Sequence, residues 1–256
     1  MQLSTYIARI TPALEKVIIP LIGIGIIFFI ILVVILVISN KKYKESEYYK
    51  QTHKSMFSMS EDKGSSAEYF IGKKLQNLSG YKKIIYNCYL PKTDTETTEV
   101  DLILIHEKGI YVFESKNYSG WIFGHEDHEM WTQVLKNGAH GSQKNHFYNP
   151  IKQNQNHVNW LCKYLEDAGF ALPYYSCIVF GNSCELKDVT VTSNKHVVLN
   201  EMYLFDLLQQ HIDSLPDQLT LGQVDEIYNL LFPLTQVSES EKIKHIIDAT
   251  KARIKK

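Results

Sequence analysis

Glu99 to Asn117 reads EVDLILIHEKGIYVFESKN, and the fold follows from how this stretch turns back on itself. Two runs rich in Val, Ile, Leu and aromatics, Val100 to Ile105 and Ile110 to Phe113, flank His106-Glu107-Lys108-Gly109. Such runs around a Gly-containing gap predict a β-hairpin. Whether the loop has four residues or a two-residue turn centres on Glu107-Lys108, Ile105 lies opposite Ile110. Counting outward sets Asp101 opposite Glu114. Alternation along a strand puts Glu114 and Lys116 on one face and Ser115 on the other. Directly opposed residues have Cβ atoms roughly 5 Å apart, where like charges repel. Two carboxylates this close require a metal ion, a shared proton or heavy solvation. The lysine on the same face favours the metal.

An Asp followed by a hairpin carrying Glu-x-Lys resembles the core of the PD-(D/E)xK nucleases. Three further stretches sharpen the resemblance: Ala67-Glu68-Tyr69-Phe70-Ile71-Gly72, Trp131-Thr132-Gln133 and Asn149-Pro150-Ile151-Lys152-Gln153-Asn154. In this order they are similar to the nuclease-related domain, NERD, over roughly Ser65 to Phe180. The chain order of helix, three strands, helix and strand fits that core. The resemblance implies an α/β, restriction-endonuclease-like mixed sheet flanked by helices, hydrolysing phosphodiester bonds, with DNA favoured over RNA as substrate. It implies that Asp101, Glu114 and the Ser115 backbone carbonyl hold Mg²⁺ or Mn²⁺, hard cations that prefer oxygen. Lys116 would position or activate the attacking water, or stabilise developing charge. Glu68 would hold a second metal through water, and Gln153 would orient Lys116 or the scissile phosphate. Lys116, at a strand end, is expected to matter little for stability. Glu99 departs from the family, which often has glutamine there; it should point the same way as Asp101. The alternative reading is a nuclease-fold module that binds or scaffolds at the membrane without cleaving.

Glu68 carries a competing role. Ser65 and Glu68 satisfy the S-x-x-E pattern of a capping box at the start of a helix from Ser65 to Leu78. Yet Glu68, Ile71, Leu75 and Leu78 share the apolar helical face, which aims the carboxylate inward.

Upstream, Val17 to Ile38 reads VIIPLIGIGIIFFIILVVILVI without a charged residue. As a helix it spans roughly 33 Å, enough for a bilayer core of about 30 Å. It is too long for a signal-peptide core, and Lys41, Lys42, Lys44 and Lys50 crowd its C-terminal flank. The positive-inside rule then puts the following domain in the cytoplasm. The expected organisation is a lead over 1–16, a transmembrane helix over 17–38 and a helical or flexible linker over 39–64. The nuclease-like core then covers 65–182, and further strands and helices 183–256.

The whole chain carries a formal charge of −1, and the part after the apolar run is acidic. That excludes a highly basic, histone-like binder, so nucleic-acid contacts must be local. Met130 to Leu165 has no Asp or Glu but four lysines and three histidines. It could line a phosphate-binding face, or be a loop and helix rich in neutral amides. Asn149-Pro150 predicts a helix start, with Ile151, Val158, Leu161 and Leu165 as its buried stripe. His157 is expected to be a hydrogen-bonded surface residue. Tyr174 to Phe180, Val189 to Thr192 and His196 to Leu199 read as strands. Glu201 to Ile212 (capped by Asn200), Gln218 to Leu231 and Glu239 to Lys255 read as helices. Cys88, Cys162, Cys177 and Cys184 lack metal-binding spacing and read as reduced thiols.

Overall fold

A computed structural model of the chain describes residues 2–93, 96–136, 141–238, 240–244 and 247. It divides at Ser46 into two units. The first is a helix, α1 (Gln2–Lys44). Within it Glu15–Lys44 is long and apolar enough to cross a membrane. The expected lead belongs to the same helix, because extending a formed helix costs far less than nucleating one.

The second unit begins with α2 (Glu47–Thr52), α3 (Met56–Glu61) and α4 (Lys63–Leu75). The expected linker is thus partly folded: Tyr48, Gln51, Thr52 and Met59 are buried. Three antiparallel strands follow, β1 (Lys82–Pro91), β2 (Thr97–His106) and β3 (Gly109–Lys116). The hairpin pairs Ile105 with Ile110, the anticipated register, around a two-residue turn. Gly109 closes that turn at φ +134°, a region that side chains rarely adopt.

The chain then leaves this sheet to build a second one. β4 (Gly120–His125), β5 (Met130–Lys136) and β6 (Ser142–Tyr148) form an antiparallel meander. Helix α5 (Pro150–Asp167) returns to the first sheet, where β7 (Tyr174–Phe180) pairs parallel to β3. β8 (Cys184–Thr190) joins β4, and β9 (His196–Asn200) joins β7. The final orders are β1-β2-β3-β7-β9 and β6-β5-β4-β8. A 3₁₀ turn, Glu201–Tyr203, leads into α6 (Leu204–Asp213). α7 (Leu221–Leu231) follows, with Thr220 and Gln223 forming a capping box.

The central strands are buried on both faces: Leu102 to Ile105 and Ile110 to Phe113 are fully inaccessible. That explains a continuous apolar run instead of an alternating one. α5 and α7 cover one face, where Leu161, Leu165, Val224, Ile227 and Leu231 pack on Ile103, Ile105, Ile110 and Val112. α4 packs against β2 and β3, with α6 beside it. The second sheet is fastened to the first by Trp131, whose ring stacks on Phe180 at 6.2 Å and 2°. Gly124 is required beneath that ring, since a Cβ there would sit 2.1 Å from it.

Several expectations need correction. β5 and β6 were not anticipated, because Met130 to Tyr148 buries few residues beyond Trp131 and its outward side chains are polar or exposed. The strand expected at Val189 to Thr192 begins five residues earlier, where Cys184 and Leu186 reach the Trp131 cluster. Asn200 does not cap: its amide donates to the Cys184 carbonyl (3.0 Å) instead. Of the helix expected at Glu239 to Lys255, 240–244 are helical. The remainder, 247 apart, lies outside the described residues. All four cysteines are free.

Candidate active site

The site forms on three adjacent strands. Tyr86 pairs with Leu102 and Cys88 with Val100, so Asn87 of β1 lies opposite Asp101 of β2. Leu102 pairs with Phe113, which sets Asp101 opposite Glu114 of β3. Glu114 is 2% exposed. Its Oε1 accepts from Lys116 Nζ; its Oε2 faces His157 Nδ1 at 3.5 Å and has no hydrogen-bond partner among the described residues. Asp101 Oδ2 accepts from the Ser115 backbone N–H at 2.8 Å, which locks the carboxylate to β3.

α5 supplies the next group. Gln153 Oε1 accepts from Lys116 Nζ at 3.1 Å. The helix is pinned for this purpose at its first turn. Asn149 Oδ1 accepts from Ile151 N (2.9 Å), capping the helix, while its Nδ2 donates to the Glu126 and His128 carbonyls. One residue beyond Gln153, buried Asn154 donates to the Val112 carbonyl and to Ser176 Oγ, both at 2.9 Å. Asn149 and Asn154 therefore fix α5 to both sheets around Gln153.

Glu68 arrives from α4 and is 8% exposed. The capping-box reading is overturned: Asp62 is the N-cap, its carboxylate accepting from Gly64 N and Ser65 N. An ionised cap three residues earlier outcompetes the serine. Glu68 is left to accept from Asn87 Nδ2 at 3.0 Å. Glu99 accepts from the Tyr89 hydroxyl at 2.8 Å, on the same strand face as Asp101.

Burial and crowding act together here. Burial raises the Glu68 carboxyl to about 7, against the pull of Lys54 and Asn87. Asp101 is pushed well above the carboxylate range by burial, then by Glu114 and Glu68. For Lys116, burial favours the neutral amine, but Glu114 and Asp101 outweigh it and raise the ammonium. The small stability effect expected of Lys116 assumed an exposed ion pair at a strand end, and that premise is corrected. Lys116 is 15% exposed and neutralises a buried carboxylate.

All five anticipated residues, Glu68, Asp101, Glu114, Lys116 and Gln153, meet in this centre. His157, read as a surface residue, is instead buried against Glu114. Its spacing of four from Gln153 was the available clue. Asn154 was visible in principle, since it falls within the apolar stripe of α5. Asn87 had no sequence signal.

Among the described residues, no three His, Cys, Asp or Glu side chains group to hold a metal. The donors on hand are the two carboxylates of Asp101 and Glu114, with one buried carboxylate oxygen lacking a hydrogen-bond donor. Such a set fits Mg²⁺, which is commonly held by one or two carboxylates and keeps several waters.

A mixed α/β sheet with paired carboxylates and a lysine on neighbouring strands defines a nuclease-like fold. The family model for the nuclease-related domain matches residues 63–181, from the start of α4 to the residue after β7. An uncharacterized protein of Bacillus anthracis is 33% identical over 187 residues, covering 72% of this chain and 82% of that protein. The chain belongs to the nuclease-related domain (NERD) family. No solved structure matches it significantly.

Proposed function

We propose that this protein is a membrane-anchored, divalent-metal-dependent nuclease that cleaves DNA. The observation that carries the reading is the row Asp101–Glu114–Lys116, closed by Gln153 from α5. Asp101 and Glu114, with the Ser115 carbonyl, would hold Mg²⁺ or Mn²⁺. Such a cation supplies Lewis-acid stabilisation of phosphate charge and a more acidic water. Lys116 is placed to hold that water or the phosphate oxygen on which charge develops. Gln153 fixes the direction of Lys116, and His157 backs Glu114. Glu68, raised by burial to about 7, can take up or release a proton near neutral pH within the centre.

The acid-free stretch builds β5, β6 and α5, and it leaves Lys136 and Lys144 exposed. Lys136 Nζ lies 4.3 Å from the Trp121 ring centre, beside the Lys187 ammonium at 5.7 Å. This supports phosphate contacts flanking the centre.

The test is cleavage of plasmid and linear DNA, with RNA in parallel, by the full chain in detergent micelles. Cleavage is expected in Mg²⁺ or Mn²⁺, none in EDTA, and a steep fall with added salt. Lys116→Met should lower the rate on the order of 10²-fold or more. Unchanged cleavage by Lys116→Met would assign the activity to a contaminant. A folded wild type that binds but never cuts nucleic acid would favour a binding module.

A further inference from the structure

β1 holds one residue of positive φ. Asn87 has φ +48°, left-handed, between neighbours that pair regularly with β2. Such backbone costs of order 1 kcal/mol for most L-residues; asparagine tolerates it best after glycine. Inside a strand it persists only where the surroundings enforce it. From this kink the side-chain amide reaches α4. Nδ2 donates to Glu68 Oε2 at 3.0 Å, while Oδ1 is buried with no hydrogen-bond partner among the described residues. The register of its neighbours sets Asn87 across from Asp101, so the residue that holds the α4 carboxylate stands beside the carboxylate row of the sheet.

We propose that Asn87 is the positioning residue of this centre: its kinked backbone and amide fix Glu68 beside Asp101, so that cleavage depends on Asn87 through Glu68. The catalytic half of this statement rests on the nuclease reading above. An amide suits the task because it donates to a carboxylate without adding charge to a site already holding three acids and Lys116. A lysine there would neutralise Glu68, and an aspartate would repel it. The remaining Oδ1 can accept from a water or hydroxyl that enters the centre.

A merely conformational role predicts something different, which makes the two separable. If Asn87 is present only because it tolerates the left-handed region, glycine replaces it without loss. Asn87→Gly keeps the backbone and removes the amide. In the full chain in micelles, it should melt within a few degrees of wild type. Asn87→Ala, which strains the same backbone, should melt lower. Asn87→Gly should reduce kcat about tenfold or more with KM for DNA nearly unchanged. Combined with Glu68→Gln it should be no slower than Glu68→Gln alone, the non-additivity expected of groups acting as one. A second readout needs no turnover. The Asn87 side-chain amide signal, assigned in ¹⁵N spectra by its absence from Asn87→Gly, should move in Glu68→Gln. Full activity in Asn87→Gly, additive effects, or an amide signal indifferent to Glu68→Gln would each overturn the proposal. An inactive wild type in which that signal does move would sink the nuclease reading and leave the Asn87–Glu68 contact standing.

Discussion

Glu68 shows how a single carboxyl makes stability depend on pH. Its pKa of about 7 in the folded chain lies above the ordinary glutamate value of 4.5. The native state therefore holds the proton more tightly than the unfolded chain does. That contribution is fully present below about pH 4.5 and is lost as pH rises through 7. At 1.36 kcal/mol per pKa unit the loss is about 3 kcal/mol, and Asp101, raised for the same reason, adds to it. In EDTA, Glu68→Gln should melt close to wild type at pH 5 and clearly above it at pH 8. Parallel melting curves at both pH values would refute this. Lys116 works in the opposite sense. Removing its ammonium strands the buried Glu114 carboxylate, so Lys116→Met should cost about 3 kcal/mol at neutral pH, read by denaturant titration. Loss of less than 1 kcal/mol would return Lys116 to the exposed class. The paired carboxylates and the lysine were legible because a hairpin register needs only apolar runs and a turn. His157 was misread because one sequence does not say which flank of an amphipathic helix meets a buried acid. Asn87 was illegible, since strand patterning carries no information about a left-handed kink.

Among elements, the edge of the first sheet is closed by a side chain. β1 lies at the end of the strand order, so its outer backbone groups have no neighbouring strand. Buried Gln51 of α2 donates to the Ile84 carbonyl and accepts from the Tyr86 N–H, both at 2.8 Å, in place of a neighbouring strand. The Gln236 amide in turn donates to the Gln51 carbonyl at 3.0 Å. Gln51→Ala leaves two buried backbone groups unmatched, at a cost of about 2 kcal/mol. For a unit of this size that lowers Tm by roughly 4–8 °C, checked by thermal melting. Aggregation should rise with it, because an open edge recruits other strands. A melting point unmoved by Gln51→Ala would mean that water replaces the amide freely. The first sheet was readable as continuous apolar runs, which only doubly covered strands need. The second was not, since β5 and β6 turn polar or exposed side chains outward and bury little beyond Trp131 and Val134. Neutral amides and lysines in that pattern look like loop until Trp131 is seen on Phe180.

At the scale of the whole molecule, the apolar length of α1 and the lysines after it bear on where the nuclease-like unit works. If α1 spans a bilayer with that unit in the cytoplasm, protease should digest it in inside-out vesicles and spare it in right-side-out ones. The reverse pattern would invert the orientation, and digestion without any vesicle dependence would argue against anchoring.

The crossover from β3 to β7 also governs time. Ile110 and Tyr174, partners in the parallel ladder, are 64 residues apart in sequence, with the whole meander β4–β6 and α5 between them. β1, β2 and β3 pair through short connections, whereas closing so long a loop is slow. Pulse-labelled hydrogen exchange during refolding should protect the β2–β3 amides before those of β7. Gln153 lies on the late side of that closure, and Lys116 on the early side. A chain emerging from the ribosome thus displays its acidic pair and lysine while the glutamine that aims the lysine is still unmade or unanchored. The centre is completed only when the crossover closes and brings Gln153 to the Lys116 ammonium.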